Sequence, residues 1–304
     1  MTTSRYERDF PARSKRPTNV SSSEARGEVV LSVFDGISCG RQALANNGTH
    51  VKTYYAAEID PTAIDVSKDN WPDIIQLGDV TEWRTWDIDW SSITLFIGGS
   101  PCQGFSFLGK QLAFDDPRSK LFFVYVDILK HIQSLNPSVK YMLENVRMKK
   151  EHLDVITEKL GVDPIFIDSK VLSAQQRKRY YWANADIPQP LDKGILLKDI
   201  IDDGFVGKDK SWCVLESWNR FPKSTESAIG RYKRSMMPIV FATENLDFYE
   251  GWRELNANEV ERLQTLPVGY CSSVPDKVAK GLLGNGWTVD VISHIFKSLL
   301  KVTT

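Results

Sequence analysis

A cysteine in a glycine- and proline-containing loop is the first residue whose surroundings could support covalent chemistry. Cys102 lies in the loop Gly98–Ser106, directly after the apolar run Thr94–Ile97. A buried cysteine is usually just a small apolar residue, but the loop after a strand is where a nucleophile would be presented. Only a few per cent of an ordinary thiol is ionised at neutral pH, so a nearby guanidinium or helix start would be needed to activate it.

An acid and two arginines lie at the ends of later predicted strands. Glu144 follows the apolar run Tyr141–Leu143, and Arg177 and Arg179 begin the last predicted strand. Together with a thiolate, these groups could activate a pyrimidine: the thiolate adds to C6, the glutamate hydrogen-bonds N3 and an arginine holds O2. C5 of the ring then becomes nucleophilic enough to accept a methyl group.

Three loops after successive strands indicate a site for an adenosine-containing ligand. In the loop Phe34–Gly40, glycines permit a tight turn and a close approach to a ligand. Glu58 ends the second strand, 22 residues after Gly36, where an acid usually accepts hydrogen bonds from ribose hydroxyls. Asp79 follows the third strand and could accept from the adenine amine. Either acid alone is more often a solvated strand end, and the glycine spacing differs from the dinucleotide fingerprint G-x-G-x-x-G.

Alternating strands and helices must position these residues. Apolar runs predict strands at Val29–Phe34, Thr53–Ala57, Ile74–Leu77, Thr94–Ile97, Tyr141–Leu143 and Ile165–Ile167, with a last strand from Gln175. Helices are predicted at Arg41–Asn46, Asp60–Lys68, Ser119–Ser134, Met148–Leu160, Asn256–Thr265 and Thr288–Leu300. This alternation predicts an α/β fold, a mainly parallel sheet with helices on both faces. Ligands of such sheets bind at the carboxyl ends of the strands.

The chain divides into three parts by composition. Residues 1–27 are predicted to be a disordered basic tail, with six Lys/Arg and three Asp/Glu in Met1–Arg26; an arm that touches DNA is the alternative. Residues 28–183 and 252–304 carry the strand–helix pattern and are predicted to form the catalytic domain. Residues 184–251 have weak periodicity and are predicted to form a small separate region.

Charge and cysteine usage restrict the class of protein. The net charge is -1, so a face for nucleic acid must be local. The strongest local excess of positive charge outside the tail comprises Arg220, Lys223, Arg231, Lys233 and Arg234. Glu226 is the only acid that opposes it. The alternative interpretation of this segment is a solvated loop. The four cysteines and four histidines lack metal-ligand spacing, which predicts no metal and a reducing compartment. No apolar run is long enough to cross a membrane.

Taken in order, these motifs resemble those of the DNA (cytosine-5) methyltransferases. The matching positions are Phe34–Gly40, Glu58, Gly78-Asp79-Val80, Pro101-Cys102-Gln103, Glu144-Asn145-Val146, Gln175-x-Arg177-x-Arg179 and Gly284-Asn285-Gly286-Trp287. The resemblance implies an S-adenosylmethionine-dependent methyltransferase (Rossmann-like) fold with a mixed sheet and a target-recognition region at 184–251. It also implies S-adenosylmethionine as cofactor, double-stranded DNA as partner, and a target base that leaves the duplex.

The resemblance implies a role for each matching residue. Cys102 would be the covalent nucleophile, Glu144 the partner of N3, Arg179 a contact of the cytosine, and Arg177 a support of the site. The implied cofactor-binding residues are Phe34, Asp35, Gly36, Ile37, Ser38, Cys39, Glu58, Ile59, Asp79, Val80, Pro101, Leu121, Asn285 and Trp287. Cys39 is interpreted as packing beside methionine, and Leu121 could equally be a core residue. The expected DNA-binding residues are Ser106, Arg220, Lys223, Arg231, Lys233 and Arg234.

Two departures from the usual bacterial pattern are informative. The loop Asp35–Gly40 and the pair Gly286-Trp287 are more similar to the de novo methyltransferases of animals, as is the short target-recognition region. The absence of appended regulatory domains predicts a stand-alone prokaryotic or phage enzyme that acts in the cytoplasm, for example in restriction-modification. The sequence leaves open whether the protein forms a homodimer.

Three alternatives remain. A tRNA cytosine-5 methyltransferase would share the catalytic motifs, but its usual Cys-Phe-Thr signature is absent. An inactive regulatory paralogue would lose the Pro-Cys or Glu-Asn-Val motif, and both are present. A nicotinamide oxidoreductase is disfavoured by the glycine spacing and has no need of the cysteine.

Overall fold

A seven-stranded mixed sheet forms the centre of the fold. In the computed structural model, which describes residues 27–100 and 120–301, its strands are β1 Glu28–Val33, β2 Val51–Ala57, β3 Ile75–Gln76, β4 Leu95–Gly98, β5 Lys140–Val146, β6 Ile165–Asp168 and β7 Lys178–Ala183. The spatial order is β3-β2-β1-β4-β5-β7-β6. Strands β1 to β5 pair in parallel, while β7 is antiparallel to both β5 and β6.

Helices cover both faces of this sheet. They are α1 Cys39–Asn46, α2 Pro61–Asn70, α3 Lys120–Leu135, α4 Lys150–Leu160, α5 Thr225–Lys233, α6 Ala257–Leu263, α7 Asp276–Asn285 and α8 Val289–Leu299. A second, antiparallel sheet pairs β8 Val240–Phe241 with β9 Trp252–Arg253. Within the described ranges, no helix is both long and apolar enough to span a membrane.

The core is divided by the sheet into two layers. Because side chains alternate along a strand, Val30 of β1 packs with one buried cluster and Leu31 with the other. The first cluster holds residues of α1, α7 and α8, and the second holds residues of α3 and α4. The predicted α/β fold with helices on both faces is therefore confirmed.

Local signals start and stop several helices where the sequence indicates. Asp60 caps α2 by accepting a hydrogen bond from the Thr62 amide at 2.9 Å, and Pro61 occupies the first helical position. Asn256 and Glu259 form a reciprocal capping box at the start of α6. Helix α4 ends at Gly161, whose positive φ of 69° favours glycine.

Several elements, among them β3, α5, α7 and the strands β8 and β9, differ from the sequence-based expectation. Strand β3 has only two residues, and helices α5 and α7 were not predicted. Helix α7 contains Gly281 and Gly284, which lower helix propensity. A Cβ at Gly284 would overlap the backbone of Leu215 and Glu216. Tertiary packing therefore requires glycine here, although glycine weakens the sequence signal for a helix. The β8–β9 sheet also joins residues on either side of the predicted domain boundary at 251.

Candidate active site

A cavity of about 490 Å³ lies along the carboxyl edge of the parallel strands. The sequence-predicted residues that line it are Phe34, Gly36, Glu58, Ile59, Asp79, Val80, Leu121, Glu144, Arg177, Arg179 and Asn285. Five other predicted residues are buried and do not line it: Asp35, Ile37, Ser38, Cys39 and Trp287. Pro101, Cys102 and Ser106 lie outside the described residues. One cavity therefore unites the expected cofactor acids with the expected catalytic acid and arginines.

The loop after β1 forms one wall of the cavity in a constrained conformation. Phe34, Gly36 and Ser38 have positive φ values of 58°, 57° and 61°. Such a conformation costs a non-glycine residue about 1–3 kcal/mol and persists only when its surroundings impose it. A Cβ built on Gly36 meets no atom within 4 Å, so open space faces the loop at the point where a ligand would approach.

Glu58 holds this loop in place through its carboxylate. One oxygen accepts a hydrogen bond from the Gly36 amide at 2.8 Å, and the other accepts from the amides of Ile59 and Asp60 at 2.8 and 2.9 Å. A carboxylate offers about four lone-pair sites, and three are occupied by these amides. One site is left for a ligand hydroxyl, so Glu58 can shape the loop and still bind ribose.

Asp35 is the centre of a buried polar network beneath the loop. Its carboxylate accepts hydrogen bonds from the Tyr54 hydroxyl at 2.8 Å and from the Ser38 hydroxyl, which also lies 2.6 Å from the hydroxyl of Ser67 on α2. Burial raises the pKa of Asp35 to about 6, and the hydrogen bonds from neighbouring hydroxyls oppose this rise. Behind the loop, the hydroxyl of Tyr270 donates to the Ile37 carbonyl at 2.8 Å.

Sequence reasoning missed both tyrosines. Tyr54 carries a weak signal, since it lies in β2 near the expected loop. Tyr270 carries none, because it is 233 residues from Ile37 in the chain.

Asp79 and its neighbours form the end of the cavity beyond β3. One oxygen of Asp79 accepts from the Thr81 amide and hydroxyl, both at 2.8 Å, and thereby caps the short helix Val80–Thr85. Apolar side chains of Val80 and Leu121 line the cavity here, and Ile59 is 71% exposed. An acid beside apolar surfaces suits a planar, amine-bearing ring.

Glu144 is held by two donors at the other end of the cavity. The Nε of Arg179 lies 2.8 Å from one carboxylate oxygen, and the indole nitrogen of Trp287 donates to the other at 3.0 Å. Antiparallel pairing of β5 with β7 brings Glu144 and Arg179 together. A Cβ on Gly99 would lie 2.9 Å from the Trp287 indole nitrogen and 3.1 Å from Glu144, so this close packing requires glycine after β4.

Arg177 is almost fully buried and binds main-chain carbonyls instead of the acid. Its guanidinium donates to Val214 at 2.9 Å, to Gly286 at 2.8 Å and to Gly284 at 3.3 Å. It therefore joins the start of β7 to the segment before α5 and to the end of α7. This geometry fits the predicted supporting role.

Asn145 is a site residue that the sequence analysis quoted only as part of a motif. Its buried amide nitrogen lies 3.1 Å from the Ser100 hydroxyl, and its oxygen accepts from the Val146 amide at 2.8 Å. Since Ser100 directly precedes Pro101 and Cys102, Asn145 fixes the point from which the cysteine loop departs.

Cys39 lies in a packed, apolar position. Its thiol would be 3.1 Å from a Cβ on Gly286, and burial raises its pKa to about 12. A thiol with so high a pKa is almost entirely un-ionised at neutral pH. The environment thus supports packing rather than nucleophilic chemistry.

Apart from Ser106, which lies outside the described residues, the predicted DNA-binding residues lie on and beside α5. Arg220, Lys223, Lys233 and Arg234 are exposed. Arg231 is half-buried, and its guanidinium donates to the Arg220 carbonyl. That internal contact stabilises the segment and leaves a base contact by Arg231 as a prediction.

The described part of the chain holds no cluster of three or more His, Cys, Asp or Glu side chains arranged to bind a metal ion.

Comparisons with known proteins agree with this geometry. The chain is 28% identical to Type II methyltransferase M1.ScrFI of Lactococcus lactis subsp. cremoris, over 90% of this chain and 78% of that protein. It is 31% identical to Type II methyltransferase M.NlaIV of Neisseria lactamica over 64% of this chain, and spans about half (51%) of that relative. Among solved structures, the Entamoeba histolytica methyltransferase EhMeth superposes with a TM-score of 0.69 at 17% identity, covering 90% of this chain and 98% of that one.

The structural likeness establishes the fold, and the sequence match establishes the family. A profile described as C-5 cytosine-specific DNA methylase matches residues 29–184, just over half of the 304 residues and the part that supplies most of the cavity. The chain belongs to the C-5 cytosine-specific DNA methylase family.

Proposed function

We propose that this DNA (cytosine-5-)-methyltransferase acts on a cytosine extruded from double-stranded DNA, through a covalent bond between Cys102 and C6 of the ring. Cytosine methylation of DNA is the activity of its family. The covalent step, the extrusion of the base and the duplex substrate are the proposed refinements.

One observation carries the proposal. The Glu144 carboxylate, fixed by Arg179 at 2.8 Å and Trp287 at 3.0 Å, lines the same cavity as the acids Glu58 and Asp79. An acid paired with a guanidinium can read the N3 and O2 edge of a cytosine. Glu58 and Asp79, at the other end of the cavity, suit an adenosine. The cavity therefore offers one end to a cytosine and the other to a nucleoside cofactor.

The residues present fit S-adenosylmethionine. Glu58 retains an acceptor site for a ribose hydroxyl, Asp79 faces the apolar end, and open space lies over Gly36. When bound, this cofactor supplies an electrophilic methyl group on a sulfonium. The chain's own part is to orient it, since the glycine loop is fixed by Glu58, Tyr54 and Tyr270 before any ligand arrives.

The proposed chemistry assigns one task to each group. The Cys102 thiolate adds to C6, and the electron pair displaced towards N3 is neutralised by a proton shared with Glu144. Arg179 holds Glu144 and the O2 side of the ring. C5 then takes the methyl group as its bond to the sulfonium breaks, which leaves S-adenosylhomocysteine. The C5 proton passes to a water molecule, the thiolate of Cys102 departs from C6, and the proton at N3 returns to Glu144, which restores the aromatic ring.

The position of Glu144 supports the proposed extrusion of the base. The Glu144 side chain lines the cavity and is only 12% exposed, and a base stacked inside a duplex cannot reach such a group. Extrusion costs a few kcal/mol, offset by stacking and hydrogen bonds in the pocket. We further propose that residues 184–251 supply target recognition, that Lys233 and Arg234 contact phosphates, and that the enzyme works in the cytoplasm, as a modification enzyme like its Type II relatives.

Bisulfite sequencing of DNA from cells that express the chain tests this proposal. The expected result is cytosine methylation at a defined sequence context, lost in Cys102→Ala. Purified enzyme should also methylate duplex DNA and leave tRNA unmodified. Methylated tRNA together with unmodified duplex DNA would contradict the proposed substrate.

A further inference from the structure

A second basic surface lies beside the cavity, outside the segment expected to bind DNA. Arg147, Lys149 and Lys150 follow Glu144 within six residues and are exposed. The side chains of Lys149 and Lys150 are 48% and 84% exposed. Lys178, which precedes Arg179 in β7, is exposed as well. Four cations therefore surround the ends of the two strands that carry Glu144 and Arg179.

This surface and the chain just before α5 pack on opposite faces of the sheet. Trp218, just before α5, is buried in the cluster on the α8 side, whereas Ile156 of α4 is buried in the cluster on the α3 side. Because side chains alternate along a strand, Lys178 points to the face opposite Arg177 and Arg179. Tyr180, two residues later on the same face as Lys178, packs with the α4 cluster. Lys178 therefore lies on the α4 face of the sheet, whereas the basic chain that precedes α5 packs on the other face.

The start of α4 departs from the usual rules of helix stability. Lys149 is the N-cap residue and makes no side-chain cap, although this position favours Ser, Thr, Asp or Asn. Cations at a helix N-terminus also oppose the helix dipole. Helices α2, α5 and α6 begin with capping side chains of Asp60, Ser224 and Asn256, whereas α1, α7 and α8, like α4, begin without one. What distinguishes α4 is the pair of lysines at its first two positions, partly offset by Glu151 in the first turn. Residues that a local stability rule disfavours are candidates for functional positions.

The nearby acids do not neutralise Lys149 and Lys150 strongly. Lys149 lies 3.8 Å from Glu151, and Lys150 lies 2.7 Å from Asp154. Exposed ion pairs of this kind contribute little to stability and are screened by salt, so the lysines can exchange a carboxylate for a phosphate. A duplex presents one phosphate charge per about 1.7 Å of its axis. Its negative charge is therefore more concentrated than that of the single carboxylates of Glu151 and Asp154.

We infer that Lys149 and Lys150, with Arg147 and Lys178, form a second DNA-backbone surface that contacts phosphates on the side of the extruded cytosine opposite the α5 segment. The inference rests on the proposed function, because a duplex must lie across the cavity for this surface to meet it. Contacts on both flanks would fix the register of the duplex while the cytosine enters the site, and they carry no base readout.

The test compares two double variants by DNA affinity over a salt series. Lys149→Ala/Lys150→Ala removes the surface, and Lys130→Ala/Lys159→Ala removes two other exposed lysines. Lys159 is a matched control, since it lies on α4 about 14 Å along the axis from Lys150 and is also paired with an acid, Glu158 at 3.2 Å. The probe is a fluorescent mixed-sequence duplex with S-adenosylhomocysteine present, and thermal unfolding is measured in parallel.

The slope of log affinity against log salt should fall by roughly two in Lys149→Ala/Lys150→Ala, because each lost phosphate contact contributes about 0.9. The control should keep the wild-type slope, and the unfolding temperature should not decrease in the first variant. A wild-type slope in Lys149→Ala/Lys150→Ala would overturn the inference while leaving the proposed function intact. A wild-type protein that neither binds nor methylates duplex DNA would overturn the proposed function, and this inference with it.

Discussion

The indole nitrogen of Trp287 donates a hydrogen bond of 3.0 Å to the Glu144 carboxylate, across 143 residues of chain. Trp287, two residues after the end of α7, thereby completes a site built by β5 and β7. Arg177 strengthens this closure because it binds the carbonyls of Gly284 and Gly286. The C-terminal part of the fold thus fixes the orientation of the acid proposed to act on N3.

Trp287→Phe should slow methyl transfer while preserving most of the packing. A hydrogen bond to a charged group contributes about 1.5–3 kcal/mol, so kcat should fall about 10- to 100-fold. The KM for S-adenosylmethionine should change little, since Trp287 does not line the cavity. Steady-state kinetics on duplex DNA checks this, and an unchanged kcat would show that Trp287 does not orient Glu144.

Cys102→Ala should abolish both methyl transfer and covalent trapping. Fluorine at C5 blocks the last elimination, so the wild type should form a denaturant-resistant adduct with duplex DNA containing 5-fluorocytosine. Cys39→Ala and Cys213→Ala serve as controls and should still be trapped, because Cys39 is buried with a pKa of about 12. Electrophoresis under denaturing conditions reads out the adduct; trapping that persists in Cys102→Ala and vanishes in Cys39→Ala would reassign the nucleophile.

Local sequence patterns were sufficient to predict most of the sheet and the position of its loops. The apolar run of β1 and the Asp60-Pro61 start of α2 are local signals, and the structure follows them. The two-residue β3 and helix α7 depend on contacts between distant segments. At Gly284, the glycine that lowers helix propensity is required by the backbone of Leu215 and Glu216.

The candidate site shows the same division between local and long-range information. The loop Phe34–Gly40, Glu58, Asp79 and Glu144 are recognisable because each follows an apolar run in the sequence, and the cavity brings residues of all four together. The sequence does not show that Glu58 binds three amides or that Tyr270 binds the Ile37 carbonyl. These contacts join segments whose separation in the chain carries no periodic signal.

Glu58→Ala should weaken binding of S-adenosylmethionine by at least the usual contribution of a charged hydrogen bond, about 1.5–3 kcal/mol. The structure gives a reason for a larger loss, because the Gly36 amide would also lose its acceptor. Titration calorimetry measures the affinity. Glu82→Ala removes an exposed carboxylate near Asp79 and should leave affinity unchanged. Equal affinity of wild type, Glu58→Ala and Asp79→Ala would exclude both acids from the cofactor site.

Asp35→Asn should change how stability depends on pH. Burial raises the pKa of Asp35 from 3.8 to about 6, so between these values the folded protein keeps a proton that the unfolded chain releases. The stability contributed by this group is therefore present below about pH 4 and is lost as pH rises through 6. The loss is roughly 3 kcal/mol, at about 1.4 kcal/mol per pKa unit.

Denaturant unfolding between pH 4 and 7 tests whether stability decreases with pH in this way. Asp35→Asn should gain stability relative to the wild type as pH rises, and the difference should level off above pH 6. The exposed carboxyl of Asp87 provides a control in Asp87→Asn. A difference between Asp35→Asn and wild type that stays constant over this range would mean that Asp35 titrates alike in the folded and unfolded chain.

Lys233→Ala/Arg234→Ala should weaken DNA binding on all sequences. Both residues are exposed at the end of α5, in the segment with the highest positive excess outside the tail. Loss of two phosphate contacts should reduce the salt slope by roughly two, and sequence preference should persist because phosphate contacts position without specifying. The control Lys297→Ala/Lys301→Ala removes two exposed lysines at the end of α8 and should keep the wild-type slope. Affinity across a salt series decides the matter: an unchanged slope in Lys233→Ala/Arg234→Ala would assign the phosphate contacts to the α4 surface or to the N-terminal tail.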